Sequence, residues 1–392
     1  MAAKKPKRAP VRKLPKRKSS AKRGSKRTKV RKDPLKEYAE TIQRDGVVEV
    51  LTLADDDCLA SVKTHISTQS LALDRLLNGS GIPCGRVTEL IGPPHIGKST
   101  IIDHAFAQVQ KMGGVAVLAD TEGARDSSYT RNIGVDVSKL QYLDFPRKVK
   151  KDGNGKVVKD ANGNPVYEGQ LYLENVLTKI LETAEFFATR YPDLPVLIGL
   201  DALAGTATKD EMNNRLARDE QPAQAARVLR KICRQFPTYI GSTNVGIVIA
   251  NHEYQRIQMG NRAGTKRESY GGDAIRHLAS IRLSLFYAGE WVKRADGEIL
   301  GRVVKATLVK NRLGNPWGEA RVAILSGAGV NNTWSVVEKL RSAKLLAVNG
   351  SWSTINLDGE EIKFQGWSGL QAKCEEDATL WPRLVSVYQA IP

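Results

Sequence analysis

No stretch of this sequence approaches the ~20 consecutive apolar residues that a membrane-crossing helix needs, which excludes a membrane-crossing helix. Cysteine is scarce as well. Cys58, Cys84, Cys233 and Cys374 stand apart, with no Cys-x-x-Cys pair and no histidines clustered beside them. That spacing excludes a zinc module and a disulfide framework, and it suits a reducing compartment. No internal repeat of solenoid length is evident either, so a repeat architecture is ruled out.

Acidic residues are missing from one whole segment. Residues 1–32 hold 16 of the chain's 60 Lys and Arg and none of its 42 Asp and Glu; the other 360 residues, with 44 cations against 42 acids, are almost neutral. The formal net charge of +18 is therefore a property of the tail. Such a segment lacks the apolar residues that offset ordering entropy, and disorder is expected. Without an apolar h-region it does not read as a secretory signal, and its Pro and Lys content fits an amphipathic transit peptide poorly. A nucleic-acid tether is the preferred reading. A solubilising or address segment, with KKPKR as a nuclear-type signal, stays open.

What is present alternates. DPLKEYAETIQRDG predicts a short amphipathic helix, with Asp33 as cap, Pro34 in the first turn and Gly46 as stop. VVEVLTL predicts a strand. Then come a capped helix in STQSLALDRLLNGSG, a strand VTELI, a helix from Lys98 to Met112, a strand GVAVLAD, another helix and the buried-type run PVLIGLD at 195–201. VGIVIAN (245–251) and ASIRLSLFY (279–287) add strands. This alternation predicts an α/β fold, a mainly parallel twisted sheet with helices on both faces. KKDGNGKVVKDANGNPVYEG (150–169) interrupts it with two Asn-Gly turns, the mark of an inserted hairpin. The expected divisions are a basic tail (1–33), an N-terminal element (34–60), the α/β core (61–330) and a small helical and β region (331–392).

The chemistry concentrates in GPPHIGKST. Gly92, Pro93, Pro94, His95, Ile96, Gly97, Lys98 and Ser99 fit Gly-x4-Gly-Lys-[Ser/Thr], with Thr100 next. The glycines let backbone N–H groups close on phosphate oxygens, the lysine meets β/γ-phosphate charge, and the Ser99 hydroxyl is placed for Mg²⁺. A helix starting here turns its positive end to the same phosphates. His95 reads as a tolerated surface side chain. A phosphate loop also needs an acid for metal-bound water and a second to activate the attacking water. Asp201 ends PVLIGLD and suits the first role. Glu122, after VAVLAD, suits the second or is a solvated loop acid; spacing leaves both open. AARVLRKICR sets Arg227, Arg230 and Arg234 at helical spacing on one face, as cations for a nucleic-acid backbone or as a solvated amphipathic surface.

Several stretches together resemble one family, the RecA-type homologous recombinases, and within it the UvsX recombinases of tailed phages. ISTQSLALDRLLNGSGIPCGRVTELIGPPHIGKST resembles the segment leading into the family's ATP loop, and DTEGARDSSYTRNIGVD the block after its second core strand. YGGDAIRHLASIRLSL is similar to its double-glycine segment, and LVKNRLG to its Lys-Asn-Lys segment, with Arg for the second Lys. IANHEYQ carries His, as UvsX proteins do, where bacterial RecA has Gln; NGSW and FQGW also resemble UvsX. The likeness covers about residues 34–330 well and leaves out the tail and the 150–169 insertion.

The resemblance implies a RecA-like P-loop ATPase core using ATP and Mg²⁺, with Ser99 and Asp201 toward the metal. Lys98 would meet the phosphates and Glu122 would be the base orienting water. Tyr129 would stack on the adenine, with Asp126 near its exocyclic amine. His252 would sense the γ-phosphate, and Lys310 and Arg312 would contact a neighbouring subunit's ATP. Residues 208–224 and 253–272 would be DNA loops, the second flexible and closed by Gly271 and Gly272. Its Arg256, Arg262, Lys266 and Arg267 would contact phosphates, and Ile257 or Met259 would wedge between bases. Such contacts carry no sequence information, which suits a protein that leaves reading to base pairing.

The element at 34–52 would dock on the adjacent subunit. The implied activity is DNA-dependent ATP hydrolysis coupled to homologous pairing and strand exchange, in a helical filament on single-stranded DNA. Double-stranded DNA is the second implied partner, single-strand-binding and mediator proteins are further ones, and the cytoplasm is the implied place. Two rivals remain. A RadA- or helicase-like ring ATPase on branched DNA is opposed by the missing four-cysteine zinc module and the Glu122 block. A non-catalytic DNA-packaging protein is supported only by the tail.

Overall fold

Residues 196–201, VLIGLD, are all buried, and so are residues 87–92, VTELIG. Strands buried on both faces belong to the middle of a helix-covered parallel sheet. In the computed structural model, which describes residues 33–47, 49–55, 58–146, 148–159, 163, 165–168, 171–209, 211, 224–258, 264–294 and 297–391, that is where they lie. The basic tail 1–32, residues 210 and 212–223 of the first expected DNA loop, and residues 259–263 of the second fall outside this set.

The parallel half of the sheet contains β3 (Val87–Gly92), β4 (Val115–Asp120), β5 (Gln141–Tyr142), β8 (Val196–Asp201), β9 (Val245–Gln258) and β11 (Ile281–Lys293), in the spatial order β5-β4-β8-β9-β3-β11. From β11 onward β12 (Ile299–Asn311), β13 (Glu319–Leu325) and β14 (Gly329–Asn331) continue as an antiparallel meander. The sequence predicts the parallel half and reaches only residues 279–287 of the meander. Register brings Gly92 opposite His252 and Asp120 opposite Asp201. The carboxyl ends of four parallel strands thus meet at one edge, where open α/β sheets bind ligands.

Alternation along each strand divides the core between the two faces. Leu90, Leu118 and Leu197 pack in one cluster with Ile101, Ile102 and Phe106 of α3 (Lys98–Lys111). Val117, Ile198 and Leu200 pack in the other with Leu173, Leu177 and Ile180 of α5 (Leu173–Arg190). Gly199 is the close approach between strand and helix. A Cβ there would stand 2.6 Å from Phe106 Cζ, whose ring is fully buried. Gly199→Ala is therefore expected to cost about 1–3 kcal/mol through overpacking, read as a lower denaturant midpoint at unchanged m-value.

Between β5 and α5, β6 (Lys148–Val149) pairs antiparallel with β7 (Tyr167–Glu168), and bridges Lys151↔Val157 and Lys159↔Pro165 lie between them. At the C-terminal end, Val336, Leu340, Ile355, Phe364 and Leu384 form a separate small core. Arg75 ties it back by donating to Tyr388 O at 2.9 Å and to Ile391 O.

The chain divides into two compact units, one up to Leu51 and one from Thr52 to Pro392. In the first, α1 (Pro34–Ile42) is capped by Asp33, which accepts from Leu35 N, and the chain turns at Gly46 with φ 68°, both as the sequence predicts. The strand predicted over VVEVLTL does not form among the described residues 47 and 49–53. Its apolar side chains Val47, Leu51 and Leu53 are exposed, so no face is buried to hold an extended pairing.

Candidate functional site

The loop from Pro93 to Ile96 joins the end of β3 to the start of α3. Gly97 lies at φ 102°, a conformation that favours glycine, and a Cβ on it would push aside the Ile324 side-chain tip at 2.4 Å. His95 also lies in the left-handed region, exposed, at φ 59°. The loop faces a cleft of about 570 Å³ lined by Lys98, Glu122, Arg125, Tyr129, Asp201 and His252, among others. Burial lowers the Lys98 pKa, and the nearby Asp201 and Glu122 charges oppose that shift. Its Nζ rests on the carbonyls of Gly92 (3.0 Å) and Pro93 (2.8 Å) rather than on a carboxylate. A desolvated cation hydrogen-bonded to loop carbonyls is well suited to an incoming polyanion.

β4 ends at Asp120, whose Oδ1 accepts from the backbone of Glu122 (3.1 Å) and Gly123 (3.0 Å), so the turn presents Glu122 to the cleft. Burial raises the Asp120 pKa against those two donors. Glu122 Oε1 lies 2.8 Å from His252 Nε2, and His252 Nδ1 is buried without a hydrogen-bond partner. The two residues are 130 positions apart in sequence, and the β4–β8–β9 strand order brings them together. Tyr129, on α4 (Ser127–Asn132), places its hydroxyl 2.9 Å from Thr100 Oγ1. Asp126 caps that helix through Ser128 N (2.8 Å) and Oγ (2.9 Å), which lower its pKa.

The Ser99 hydroxyl, exposed in the first turn of α3, and the Asp120–Asp201 pair form a donor set without a His or Cys cage. Such a set fits Mg²⁺ carried in with phosphates, since that ion keeps several waters and takes one or two carboxylates.

Lys310 and Arg312 do not line this cleft. Lys310 Nζ donates to Arg276 O (2.5 Å) and His277 O (3.3 Å), at the C-terminal end of α8 (Gly272–Leu278). Burial, then the Arg312 and Arg282 charges, push its pKa down to about 8.

Of the expected DNA contacts, Arg227 and Arg230 are exposed on α6 (Gln224–Cys233) and Arg234 is exposed in the turn just past its end, while Leu229 and Cys233 are buried. The second expected loop differs from its prediction. β9 runs on to Gln258 and returns as β10 (Gly264–Ser269), paired from Glu253↔Ser269 to Gln258↔Gly264. A ladder satisfies backbone groups that an irregular loop leaves to water, and that favours the strands. Arg256 stands opposite Lys266, with Arg267 next in register, while Arg262 and Met259 lie outside the described residues. Gly271 (φ 81°) and Gly272 (φ 54°) close the segment and start α8. Asn251 Nδ2 ties its base to Glu89 Oε1 (2.7 Å) and Tyr270 O (2.8 Å).

Several cleft residues escaped the sequence reading. Arg302 reaches it from β12, its guanidinium 5.0 Å from the Tyr287 ring centre and 5.7 Å from that of Trp291. No linear pattern marks it, because only strand register carries it there. Asp103 and Arg125 did leave a signal. An acid inside the apolar stripe Ile101-Ile102-Asp103 of a core helix requires a cation, and DTEGARDSSY offers one.

The family model for the RecA N-terminal domain matches residues 35–148 and 181–331, and its gap spans the inserted hairpin. Protein RecA of Brucella suis is 27% identical over 311 residues, covering 79% of this chain and 76% of that protein. Protein RecA of Brucella canis and of Brucella abortus show the same identity and coverage.

Proposed function

The chain belongs to the RecA family, and from that membership we propose that it is an ATP-dependent DNA recombinase. It would assemble on single-stranded DNA, hydrolyse ATP and exchange strands with homologous duplex. The observation that carries this reading is the 2.8 Å contact between Glu122 and His252. Glu122 faces the phosphate loop, and His252 stands six residues before the end of the strand that becomes the cationic hairpin. One side-chain pair therefore joins the hydrolytic site to the element that would hold DNA.

In this reading Lys98 and the loop amides hold the phosphates, Tyr129 stacks on the base, and Glu122 orients the attacking water. Mg²⁺, held from Ser99 and Asp201, would supply charge neutralisation of the β- and γ-oxygens. Arg227, Arg230 and Arg234, with the hairpin cations, meet the DNA backbone and leave sequence to pairing. The UvsX-type branch is supported by His252 in IANHEYQ. Strand exchange with homologous against non-homologous duplex tests the proposal; equal yields with both would end it.

Lys310 and Arg312 would act on a neighbouring subunit's ATP. A lysine with pKa pushed down to about 8 is charged at pH 7 and largely neutral at pH 9. A neighbour's phosphate favours the charged form, so assembly takes up a proton and weakens as pH rises through that window. The sign for folding is the reverse, since the unfolded lysine titrates higher and the isolated subunit gains from the same rise. ATP-dependent sedimentation on oligonucleotide is expected to fall between pH 7 and 9 in the wild type. In Lys310→Ala assembly should be weak at pH 7 and flatter across the range; an unchanged profile would place Lys310 outside the interface.

A further inference from the structure

Asp103 is a carboxylate buried in the phosphate-loop helix at 1% exposure, amid Ile101, Ile102 and Phe106. A charge so placed has to be paired and hydrogen-bonded. Thr130 Oγ1 donates to its Oδ2 at 3.0 Å, and Arg125 bonds its Oδ1 through Nη1. The other arm of the same guanidinium, Nη2, lies 2.6 Å from Asp201 Oδ2. Arg125, Asp103 and Asp201 have side-chain exposures of 10%, 2% and 12%. Arg125 Nε is buried with no hydrogen-bond partner, though the residue lines the cleft beside Lys98.

Asp201 is the acid that the nucleotide reading reserves for the divalent ion, yet a cation already holds it. We propose that Arg125 is a built-in competitor for that acid, anchored on Asp103, which sets how strongly the site takes a divalent cation. The fork geometry matters here. A guanidinium serves two carboxylates at once through parallel N–H groups, whereas an ammonium is a single point charge. Asp103 draws the guanidinium toward the helix and so limits its hold on Asp201. A divalent ion entering with nucleotide competes with Nη2 for the same carboxylate oxygen. When it wins, Arg125 stays on Asp103 and has Nη2 released beside the cleft, a donor suited to phosphate oxygens. The latch thus favours metal that arrives with a polyanion over metal alone. Arg125 is a positioning residue in this scheme, acting through Asp201.

The proposal rests on the nucleotide-site reading, and its test separates the two. Full-length protein is saturated with a non-hydrolysed ATP analogue, and Mn²⁺ is titrated while free ion is read by electron paramagnetic resonance. The double variant Asp103→Asn/Arg125→Leu removes cation and buried counter-charge together and leaves no unpaired carboxylate on the helix. It is expected to bind Mn²⁺ about tenfold tighter than wild type, the size of one hydrogen bond between charged groups. Asp103→Asn alone releases Arg125 wholly to Asp201, and metal affinity should fall several-fold. A merely structural Arg125 would weaken metal binding in the double variant or leave it unchanged, and either result overturns the proposal. If the double variant does not fold by circular dichroism, the single variant decides, and unchanged or tighter metal binding in it is equally fatal. Wild-type protein that binds no fluorescent ATP analogue with or without metal would instead sink the nucleotide reading itself.

Discussion

Glu122→Gln is expected to bind ATP and DNA as the wild type does while hydrolysing ATP roughly 10²–10⁴-fold more slowly, the range for loss of a general base. The substitution isolates one property. A glutamine keeps an oxygen acceptor where Glu122 Oε1 meets His252 Nε2 at 2.8 Å, so the contact to β9 survives. The main-chain turn survives too, since Asp120 Oδ1 holds it through Glu122 N and Gly123 N rather than through the glutamate side chain. Only the basicity toward water is removed. The variant should therefore stay on DNA with ATP bound, seen as slow release in a fluorescence anisotropy chase. Hydrolysis within about tenfold of wild type would leave Glu122 a solvated loop acid.

Lys98→Ala is the second large effect. Here the ground-state contact goes as well. Lys98 is 6% exposed, its ammonium is desolvated, and among the described residues its hydrogen bonds go to two loop carbonyls. Losing one hydrogen bond to a charged group costs about 1.5–3 kcal/mol, roughly 10–100-fold in ATP affinity. Turnover should fall further, because the lysine meets charge that grows at the γ-phosphoryl group in the transition state. The fold should hold, since the α3 packing rests on Ile101, Ile102 and Phe106 rather than on Lys98. Calorimetric titration with ATP and a thermal melt give the two readouts. Unchanged ATP affinity in a folded variant would remove Lys98 from the phosphate site.

The two predictions draw on different kinds of legibility. Lys98 could be read from nine consecutive residues, because a phosphate-binding turn is local. Its glycines, its lysine and the start of its helix are set by neighbours in the chain, and the φ of 102° at Gly97 confirms that the turn needs them. Glu122 was a candidate from its place after VAVLAD, but its role, and His252 altogether, came only through a family resemblance, since nothing in the spacing of either residue says that they touch. The segment after His252 pairs as a hairpin, where the sequence suggests an irregular loop, for a related reason. Its cations and glycines suggest a loop, but a sheet edge that continues into it supplies the backbone partner.

By itself the sequence determined the α/β class, the phosphate loop, the cap and stop of α1, and the exposed cationic face of α6, all of which depend on contacts within a few residues. Tertiary structure alone decided which acid meets which cation. Arg125 lies between Asp103 and Asp201, residues 98 positions apart, because α3 packs across the strands that end at Asp120 and Asp201. A buried carboxylate announces that a partner exists, since an unpaired charge in a core is too costly to keep. Which partner, and whether a metal must compete for it, is set by strand order, and strand order is not written in any local stretch of chain.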